Sequence, residues 1–447
     1  MIASSDTRVV FGLGVTGLSC ARHLYRQGLP FCVVDTRAEP PGIDALRTEM
    51  PDVTVFAGDV PVAVLEGASE LIVSPGIALE DPLVAGARDA GAHVLGDIDL
   101  FVREARAPVI GITGSNAKST VTELVGAMAR AAGLNVGVGG NLGTPALDLL
   151  DEARELYVLE LSSFQLERAG DLNLAVATVL NISPDHLDRH GSLPRYHQAK
   201  HRIFRGCASA VVNRDDSLTV PLLGDEVPVI SWRLGEPELK GFGLRTVDGV
   251  ENLCHGFEAL LPVAEMPLVG RHNAANVLAA LAIGHAARLP MADMLRAVRA
   301  FRGLPHRCQL VRERAGVRFV DDSKGTNIGA CEAALNGLGG QGNVILIAGG
   351  QGKGADFRQL RPAIARHCRH VLVMGESARA LTAALGDVVA VSSVDSMASA
   401  VREALVLAHS GDVVLLSPAC ASFDMFSGYA ERGRVFAAAV QALEEGA

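Results

Sequence analysis

The stretch GITGSNAKSTVTELVG, residues 111–126, follows an apolar run and opens a helical pattern. The strict phosphate-loop pattern G-x-x-x-x-G-K-[ST], aligned on Lys118, requires glycines at two positions that hold isoleucine and Ala117. The chemical parts of a phosphate loop are nevertheless present. Lys118 can reach the β- and γ-phosphates, and Ser119 or Thr120 can bind Mg²⁺ at a helix start. The stretch predicts an α/β nucleotide-binding domain, with a capped helix carrying a surface lysine as the alternative.

The composition predicts a protein of several domains that neither spans a membrane nor binds nucleic acid. The 447 residues are too many for one ordinary core, which predicts several domains. Hydrophobic residues make up 49%, but no uninterrupted apolar run of membrane-spanning length occurs, so we expect no membrane span. A net charge of −10 disfavours nucleic-acid binding. The eight cysteines show no C-x-x-C spacing and the first ten residues no signal-peptide pattern, so we expect reduced thiols and a cytoplasmic location.

Short apolar, β-branched runs alternate with helical-period stretches along the chain. This alternation predicts α/β units with parallel sheets. The pattern breaks near residues 96–108 and 301–308. The predicted domains span residues 1–96, 97–303 and 304–447. The polar, glycine-punctuated segment 232–253 predicts an antiparallel flap on the second domain.

A glycine motif near the start of the chain predicts a diphosphate site. Gly12, Gly14 and Gly17 form G-x-G-x-x-G between a predicted strand and a predicted helix, and Asp35 ends the next strand. Such glycines let the backbone approach a diphosphate at a helix N-terminus, and the aspartate can hold a ribose or a base edge. The motif alone does not separate NAD from another diphosphate, so an oxidoreductase is one alternative and a close-packed turn without a ligand is another.

Two further strands of the central segment end in groups that bind metal ions. Glu160 ends one apolar strand, where it suits direct or indirect contact with Mg²⁺. Asp185, His186 and Asp188 follow another strand, and a histidine beside two carboxylates is a candidate metal ligand. Lys200, between two histidines in YHQAKH, is predicted from the residues alone to be an ordinary surface lysine.

Three polar loops follow strands in the last third of the chain: DDSKGTN at 321–327, GGQGKGADF at 349–357 and SPACASFDMF at 417–426. We expect these loops to meet at one sheet edge and form a small-anion site, in which Lys353 offers a charge to a carboxylate. Ser417 and Ser422 are predicted to be exposed there. Arg307, at the predicted hinge, is expected to swing towards a phosphate.

Nine motifs together carry a resemblance over essentially the whole chain. They are GITGSNAKST, GGNLGTPA, LELSSFQL, NISPDHLDRH, HNAAN, LPHR, DDSKGTN, GGQGKGADF and SPACASFDMF. In order and spacing the chain resembles the Mur ligases. The resemblance implies an α/β protein of three domains: a Rossmann-like UDP-binding domain, a central P-loop ATPase domain and a C-terminal Rossmann-like domain that receives the amino acid.

LELSSFQLE and SPACASFD are most similar to the member that adds D-glutamate to UDP-N-acetylmuramoyl-L-alanine in peptidoglycan synthesis. The implied reaction is ATP-dependent and passes through an acyl phosphate. A sister ligase, folylpolyglutamate synthase and a nucleotide-binding regulator without turnover are the alternatives that remain. The expected partners are small-molecule substrates only, and the expected state is a monomer.

The resemblance assigns the site residues position by position. The UDP-substrate residues are Val15, Thr16, Gly17, Asp35, Thr36, Arg37, Ser74, Asn141 and His186. The ATP residues are Gly114, Ser115, Asn116, Ala117, Lys118, Ser119, Thr120, Asn276, His306, Arg307 and Asp322. The glutamate residues are Lys324, Thr326, Lys353, Ser422, Phe423 and Tyr429, the last replacing an expected phenylalanine. The ligands of two Mg²⁺ ions are Ser119, Glu160, His186 and a carbamylated Lys200. The catalytic set is Lys118, Glu160, His186, Lys200 and Arg307.

The resemblance also accounts for the unusual phosphate loop. The family pattern is T-G-[ST]-N-G-K-[ST], which TGSNAKST matches everywhere except at Ala117. Since alanine is costly at positive φ, we predict that Ala117 has negative φ, or mild strain, with its N–H facing the phosphates.

Overall fold

The computed structural model describes residues 7–268 and 270–443, which form three α/β units, each built on its own sheet. The three-domain α/β architecture predicted from the sequence is confirmed. Residues 1–6, on which the expected absence of a signal peptide partly depends, lie outside the described residues. Within the described ranges no helix is long and apolar enough to cross a membrane. All eight cysteines are free thiols.

The first sheet has five parallel strands in the order β3–β2–β1–β4–β5. Its unit consists of β1 (Arg8–Phe11), α1 (Val15–Arg26), β2 (Phe31–Asp35), α2 (Ile43–Glu49), β3 (Val55–Ala57), α3 (Val62–Glu66), β4 (Glu70–Val73), α4 (Pro82–Asp89) and β5 (His93–Leu95). The strand order reverses at β1, and ligands of such sheets bind beyond the carboxyl end at the reversal. The glycine motif follows β1 directly, so it lies at that point.

The central sheet has nine strands in the order β14–β13–β12–β11–β10–β9–β6–β8–β7. Its unit consists of α5 (Asp97–Glu104), β6 (Val109–Thr113), α6 (Lys118–Ala131), β7 (Val136–Gly140), β8 (Leu156–Glu160), α7 (Ser163–Leu166), β9 (Val176–Val179), α8 (Leu187–His190), α9 (Leu193–His201), β10 (Ala210–Asn213), β11 (Val229–Trp232), β12 (Phe242–Val247), β13 (Val250–His255), β14 (Glu258–Pro262), α10 (Arg271–Ala286) and α11 (Met291–Ala300). Four short 3₁₀ helices complete it: Ala146–Leu149, Arg202–Phe204, Ser217–Thr219 and Val263–Glu265.

The middle and the edge of the central sheet differ in strand direction. Strands β6 to β11 pair in parallel, whereas β12, β13 and β14 pair antiparallel, which confirms the predicted flap. β6 is buried along its whole length and lies between β8 and β9. Because β6, β8 and β9 are parallel neighbours, their carboxyl ends bring the phosphate loop, Glu160 and the segment carrying His186 to one edge.

The third sheet has six strands in the order β15–β16–β20–β17–β18–β19, all parallel except β15. Its unit consists of β15 (Gln309–Arg314), β16 (Val317–Asp321), α12 (Ile328–Leu338), β17 (Val344–Gly349), a 3₁₀ helix (Phe357–Leu360), α13 (Arg361–His367), β18 (Cys368–Met374), α14 (Ala378–Leu385), β19 (Ala390–Ser393), α15 (Met397–Leu407), β20 (Val413–Leu416) and α16 (Tyr429–Gln441). The three predicted polar loops follow the adjacent strands β16, β17 and β20, so they meet at one edge as expected.

The cores show how the units are joined. One apolar cluster continues from the first unit into the central one, from Val10 and Leu13 through Ile98 to Leu159. A second cluster fills the other face of the central sheet against α10, and two more cover the two faces of the third sheet. The first two units therefore share a core, whereas the third unit has cores of its own. The exact domain boundaries remain a prediction.

Candidate active site

The phosphate loop connects the end of β6 to the start of α6. Ala117, the residue just before the helix, has φ 67° and ψ −6°, which is the left-handed conformation. The predicted negative φ is therefore wrong, and the alternative of a strained alanine applies. The loop must turn sharply into α6, a geometry that glycine adopts without penalty and that costs an L-residue roughly 1–2 kcal/mol.

The donors of this loop divide into two groups. The N–H groups of Ser115 and Asn116 donate to the backbone and side-chain oxygens of Asn181, at 2.9 and 2.8 Å. The first hydrogen bond within α6 runs from Val121 to Ala117, at 3.0 Å. The amides from Ala117 to Thr120 therefore have no acceptor inside the helix. A helix N-terminus of this kind attracts phosphate.

Lys118 lies across the loop. Its Nζ donates to the carbonyls of Gly114 and Ser115 at 2.9 and 3.0 Å. Burial lowers the pKa of Lys118, and the nearby Glu160 and Asp185 carboxylates partly offset that effect. The lysine is thus held beside the helix N-terminus by backbone oxygens, in position to meet an anion.

Glu160 offers an unused oxygen at the same edge. The carboxylate is 3% exposed, and its Oε1 accepts from Asn141 Nδ2 at 2.7 Å. Its Oε2 is buried and has no hydrogen-bond partner within the described residues. A buried carboxylate oxygen without a partner is costly, and a divalent cation is a ligand that removes the cost. The residues present fit the predicted magnesium ion.

Lys200 is 1% exposed, so the surface position predicted from the residues alone is wrong. The side chain projects from α9 into the interior, where Nζ donates to Gly114 O at 2.8 Å and lies 4.6 Å from the ring centre of Tyr196. Burial and the nearby Lys118 charge lower the pKa of Lys200 well below its ordinary value. A neutral amine is a nucleophile, so this environment suits the carbamylation that the family resemblance implies.

The histidine segment is only partly as expected. His186 has a left-handed backbone, with φ 53°, its N–H donates to Asp185 Oδ1 at 2.9 Å, and its ring lies 4.9 Å from that of Phe164. Burial lowers the His186 pKa more than the nearby Asp185 raises it. Asp188 is exposed on α8, and among the described residues no three His, Cys, Asp or Glu side chains form a metal-binding group. Asp188 therefore lies on the exposed side of α8, and the metal-ligand role of His186 stays a prediction.

A cavity of about 430 Å³ lies between the central and third units. It is lined by Asn116, Ala117 and Thr120 of the phosphate loop, Trp232, His272 and Asn276 of the central unit, and Arg307, Asp322 and Lys324 of the third unit. Most of the predicted ATP residues therefore share one cavity. The predicted ATP residues outside its lining are Gly114, Ser115, Lys118, Ser119 and His306. The Nδ1 atom of His306 pairs with Asp321 Oδ2 at 2.7 Å.

The third unit contributes buried charges to that cavity. Arg307 Nη2 donates to Ser119 Oγ at 2.7 Å. Asp322 accepts from Ser417 Oγ at 2.7 Å and from the Cys308 N–H at 3.2 Å, and burial raises the pKa of Asp322 to about 7. Burial also lowers the pKa of Lys324 to about 8. A desolvated set of charges interacts strongly with a ligand of matching charge.

A second cavity, of about 330 Å³, opens beside His186 on the side of the third unit. Its lining includes Thr326 and Lys353, two of the predicted glutamate residues. Lys324 lies against the ring of Tyr429, with Nζ 4.1 Å from the ring centre. Phe423 is 69% exposed.

The serines of the last polar loop lie inside the protein. Ser417 and Ser422 are 0% and 3% exposed, so their predicted exposure is wrong. Both belong to the chain that follows β20, a central strand of the third sheet, and this chain is covered by neighbouring segments. One sign of that cover is the bond from Ser417 Oγ to Asp322.

The first glycine motif forms a tight turn against β4. A Cβ on Gly17 would lie 1.8 Å from Gly12 O, so only glycine allows this packing. Ser74 Oγ donates to Gly12 O at 2.8 Å. The Asp35 carboxylate is buried and accepts from the Leu13 N–H at 2.7 Å and from the Arg37 side chain. Asp35 therefore holds the turn in place.

The remaining predicted substrate residues lie either near this turn in the first unit or in the central unit. Val15 is 72% exposed at the start of α1, next to Thr16, and Thr36 and Arg37 are exposed beyond β2. Asn141, by contrast, lies in the central unit beside Glu160. The predicted substrate residues therefore divide between the carboxyl edge of the first sheet and the central unit, where Asn141 lies beside Glu160.

Four residues of the site were missed from the sequence. Asn181 occupies the phosphate-loop donors, Tyr196 lies under Lys200, and Asn327 Nδ2 donates to Asn116 Oδ1 and Asp185 Oδ2 at 3.1 and 3.0 Å. Arg432 is 2% exposed and donates to Ser323 and to carbonyls of the last polar loop. Asn181 and Asn327 lie within the motifs NISPDHLDRH and DDSKGTN, and Tyr196 begins the stretch YHQAKH, whereas Arg432 lies in no motif.

Comparison with protein families agrees with this architecture. Three models match consecutive parts of the chain: the Mur ligase MurD-like N-terminal domain over residues 6–96, the Mur ligase middle domain over 112–284, and the Mur ligase glutamate ligase domain over 306–420. The chain belongs to the Mur ligase family.

Among curated proteins, the chain is 56% identical to the UDP-N-acetylmuramoylalanine--D-glutamate ligase of Pseudomonas aeruginosa over 445 residues, 99% of each chain. It is 50% identical to the Marinobacter nauticus protein of the same name over 444 residues, 99% of this chain and 100% of that one. Solved structures with a similar fold include MurC from Thermotoga maritima, with TM-score 0.59, 18% identity and coverage of 98% of this chain and 100% of that one. MurF from Acinetobacter baumannii has TM-score 0.60, 16% identity and coverage of 98% and 92%.

Proposed function

We propose that this protein is the ligase that joins D-glutamate to UDP-N-acetylmuramoyl-L-alanine, with ATP as the energy source, in peptidoglycan precursor synthesis. The observation that carries the proposal is the identity above 50% to ligases of that name over 99% of the chain. The phosphate loop, the buried lysines and the two adjoining cavities supply the parts that such a reaction needs.

The reaction proceeds in two steps. The L-alanyl carboxylate attacks the γ-phosphorus of ATP, which forms an acyl phosphate and releases ADP. The amine of D-glutamate then attacks the acyl carbon through a tetrahedral intermediate, which forms the amide and releases phosphate. Phosphorylation is needed because a free carboxylate is a poor electrophile, so one difficult step becomes two easier ones. Lys118 and Arg307 offset the charge on the transferring phosphoryl group.

The two cavities separate the substrates. We assign the larger cavity to ATP, with Asp322 at the ribose and Asn276 at the base. We assign the smaller cavity to the amino acid, with Lys353 and Thr326 in its lining and Lys324 at the adjoining end of the larger cavity. The two cavities adjoin at Ser183 and at the bond from Asn327 to Asn116, which supports phosphoryl transfer and amide formation next to each other. Closure of the third unit over this junction excludes water from the acyl phosphate.

We further propose two Mg²⁺ sites, one held by Ser119 and Glu160 and one by His186 and a carbamylated Lys200. When bound by these residues, magnesium would offset negative charge on the phosphoryl group. The unpartnered Glu160 Oε2 supports the first site, and the depressed Lys200 pKa supports the carbamate. We place the reaction in the cytoplasm and expect the enzyme to be a monomer.

The decisive experiment measures phosphate release and amide product with UDP-N-acetylmuramoyl-L-alanine and, in separate reactions, D-glutamate, L-glutamate, L-alanine or diaminopimelate. Activity with D-glutamate alone is expected, whereas activity only with another amino acid would identify a sister ligase. Lys118→Ala and Lys353→Ala should each lose most of the activity. Lys240→Ala replaces an exposed lysine of the flap region. It is the matched control and should keep the wild-type activity. Near-normal phosphate release in either site variant would contradict the role assigned to that lysine.

A further inference from the structure

Two arginines cross from the central unit to the loop that follows β4 in the first unit. Arg168 lies just after α7, and its side chain is 0% exposed. Its guanidinium donates to the carbonyls of Val73 and Ser74 at 3.0 and 2.8 Å. It also donates to the Ile77 carbonyl at 3.0 Å, and Arg189 donates to the same oxygen at 3.0 Å. Loop 73–77 is therefore held by side chains of another unit.

Glu167 joins the two arginines, because its Oε1 accepts from Arg168 Nη2 at 2.9 Å and from Arg189 Nη2. A buried guanidinium is costly unless its donors find acceptors, and here four backbone carbonyls of the first unit and one carboxylate accept from Arg168. Removing Arg168 would leave those carbonyls without their partner. We call these three residues the arginine clamp.

Gly96, at the junction of the two units, makes room for the clamp. A Cβ on Gly96 would lie 3.0 Å from both Cγ and Cδ of Arg168, closer than nine in ten real contacts of this kind. The backbone at Gly96 is extended, with φ −117° and ψ −178°, so conformation does not require glycine there. Glycine is required instead because the aliphatic part of the Arg168 side chain occupies the space that a Cβ would need.

The clamp lies between the diphosphate pocket and the reaction centre. On one side, Ser74 Oγ donates to Gly12 O in the glycine turn, at 2.8 Å. On the other, the Arg189 guanidinium lies 5.3 Å from the ring centre of Phe164, which in turn lies 4.9 Å from that of His186. A continuous series of contacts thus connects the pocket for one end of the substrate to the site where the other end reacts.

We propose that Arg168, supported by Glu167 and Arg189, is a positioning residue that sets the spacing between the diphosphate pocket and the reaction centre. The inference rests on the proposed function, because only a UDP-linked substrate with a reactive carboxylate at its far end spans both places. The bonds from Ser74 to Gly12 and Phe11 do not involve Arg168. The pocket for UDP itself therefore stays formed without the clamp, whereas its alignment with the centre is lost.

The test compares Arg168→Met and Arg168→Lys with the wild-type enzyme. Methionine keeps much of the stem and removes every donor, whereas lysine keeps the charge but cannot reach several carbonyls at once. Arg154→Met is the matched control, because Arg154 donates to the carbonyls of Leu149 and Val136 within the central unit only. Steady-state kinetics give kcat and the KM values for both substrates, calorimetry gives the Kd of UDP alone, and thermal unfolding reports folding.

For Arg168→Met, kcat/KM for UDP-N-acetylmuramoyl-L-alanine should fall by about tenfold or more, because small misplacements of reacting groups are costly. The Kd of UDP and the KM of ATP should stay at their wild-type values. Arg168→Lys should lie between Arg168→Met and wild type, and Arg154→Met should match wild type. Arg189→Met, at a less buried position, should show the same pattern more weakly and serves if Arg168→Met does not fold.

Three results would overturn the proposal. An unchanged kcat/KM for the UDP-substrate would show that the clamp does not align it. A parallel loss of UDP binding would show that Arg168 only shapes the uridine pocket. A parallel fall in all parameters together with the unfolding midpoint would show a general folding role. Failure of the proposed function is distinguishable, because the wild-type enzyme would then make no amide from these substrates.

Discussion

Arg307 Nη2 donates to Ser119 Oγ at 2.7 Å, although 188 positions separate the two residues in the chain. The bond connects the first residues of the third unit to the start of the phosphate-loop helix. The third unit therefore approaches the phosphate loop closely, and a guanidinium lies where the proposed phosphoryl transfer takes place.

Replacing Arg307 should weaken the transition state more than substrate binding. We expect Arg307→Ala to lower kcat about 10²–10³-fold, as removal of a preorganised donor does, and Arg307→Lys to recover only part of the loss because it offers no fork of donors. Arg302→Ala, at an exposed neighbouring position, is the control and should stay near wild type. Equal activity of the Arg307→Ala and Arg302→Ala enzymes would contradict the role.

Ala117→Gly should relieve the left-handed strain in the phosphate loop. Relief of roughly 1–2 kcal/mol is opposed by the greater flexibility of unfolded glycine, about 0.4–1 kcal/mol, so the unfolding midpoint should be unchanged or slightly higher. Ala132→Gly, at the other end of α6, should lower the unfolding midpoint, because φ there is −78° and alanine is not strained. Thermal unfolding of both variants checks this order, and an equal drop in the two would show that Ala117 carries no strain.

Gly337→Ala, in α12 of the third unit, should disturb the nucleotide cavity by displacing His272. A Cβ at position 337 would lie 1.9 Å from Nδ1 of His272, a residue that lines the cavity. Overpacking costs about 1–3 kcal/mol, and because 1.4 kcal/mol is tenfold in affinity we expect the KM for ATP to rise by about tenfold. Gly86→Ala, a helical glycine whose Cβ would meet only Glu66 Oε1 at 3.7 Å, is the control. A KM for ATP that stays at the wild-type value in Gly337→Ala would contradict the prediction.

Asp97→Asn should stabilise the protein at neutral pH but not in acid. Burial raises the pKa of Asp97 to about 6, and its Oδ1 has no partner within the described residues. The folded protein keeps this proton up to about pH 6 whereas the unfolded chain releases it near pH 4, so stability falls as pH rises through that window.

Asparagine removes this dependence and still accepts from Gln165 Nε2, which donates to Asp97 Oδ2 at 2.8 Å. We expect the variant to be more stable than wild type by roughly 1–3 kcal/mol at pH 7.5 and equal to it near pH 4, as measured by unfolding at the two pH values. Asp225→Asn, on an exposed loop, is the control and should have the wild-type stability at both pH values. Parallel pH profiles of wild type and Asp97→Asn would argue against a raised pKa.

Lys200 should take up carbon dioxide. Because its amine is buried and its pKa is depressed, we expect a carbamate carbon signal in NMR spectra after incubation with ¹³C-bicarbonate. The signal should be lost in Lys200→Ala and kept in Lys240→Ala. Persistence of the same signal in Lys200→Ala would assign the carbamate to another amine. This readout does not depend on activity.

Much of the site is encoded locally. Strand, turn and helix signals placed the glycine turn, the phosphate loop, Glu160 and the three loops of the last third at carboxyl ends of parallel strands. The physical rule that parallel strands end at one edge then brought them together. The order of the motifs also indicates the family, and hence the three-domain architecture, without any knowledge of tertiary contacts.

The remaining features depend on contacts between distant parts of the chain. The local sequence predicts an ordinary surface lysine at position 200, but α9 buries Lys200 against the carbonyl of Gly114. It likewise predicts an exposed Ser417, but the folded chain buries this serine beside Asp322. Arg168 belongs to no motif, yet it holds a loop more than 90 positions away. Short segments of sequence specify backbone turns and reactive groups, because these follow from local propensity. Burial, pKa and the spacing between sites follow from packing of the three units, which only the tertiary structure determines.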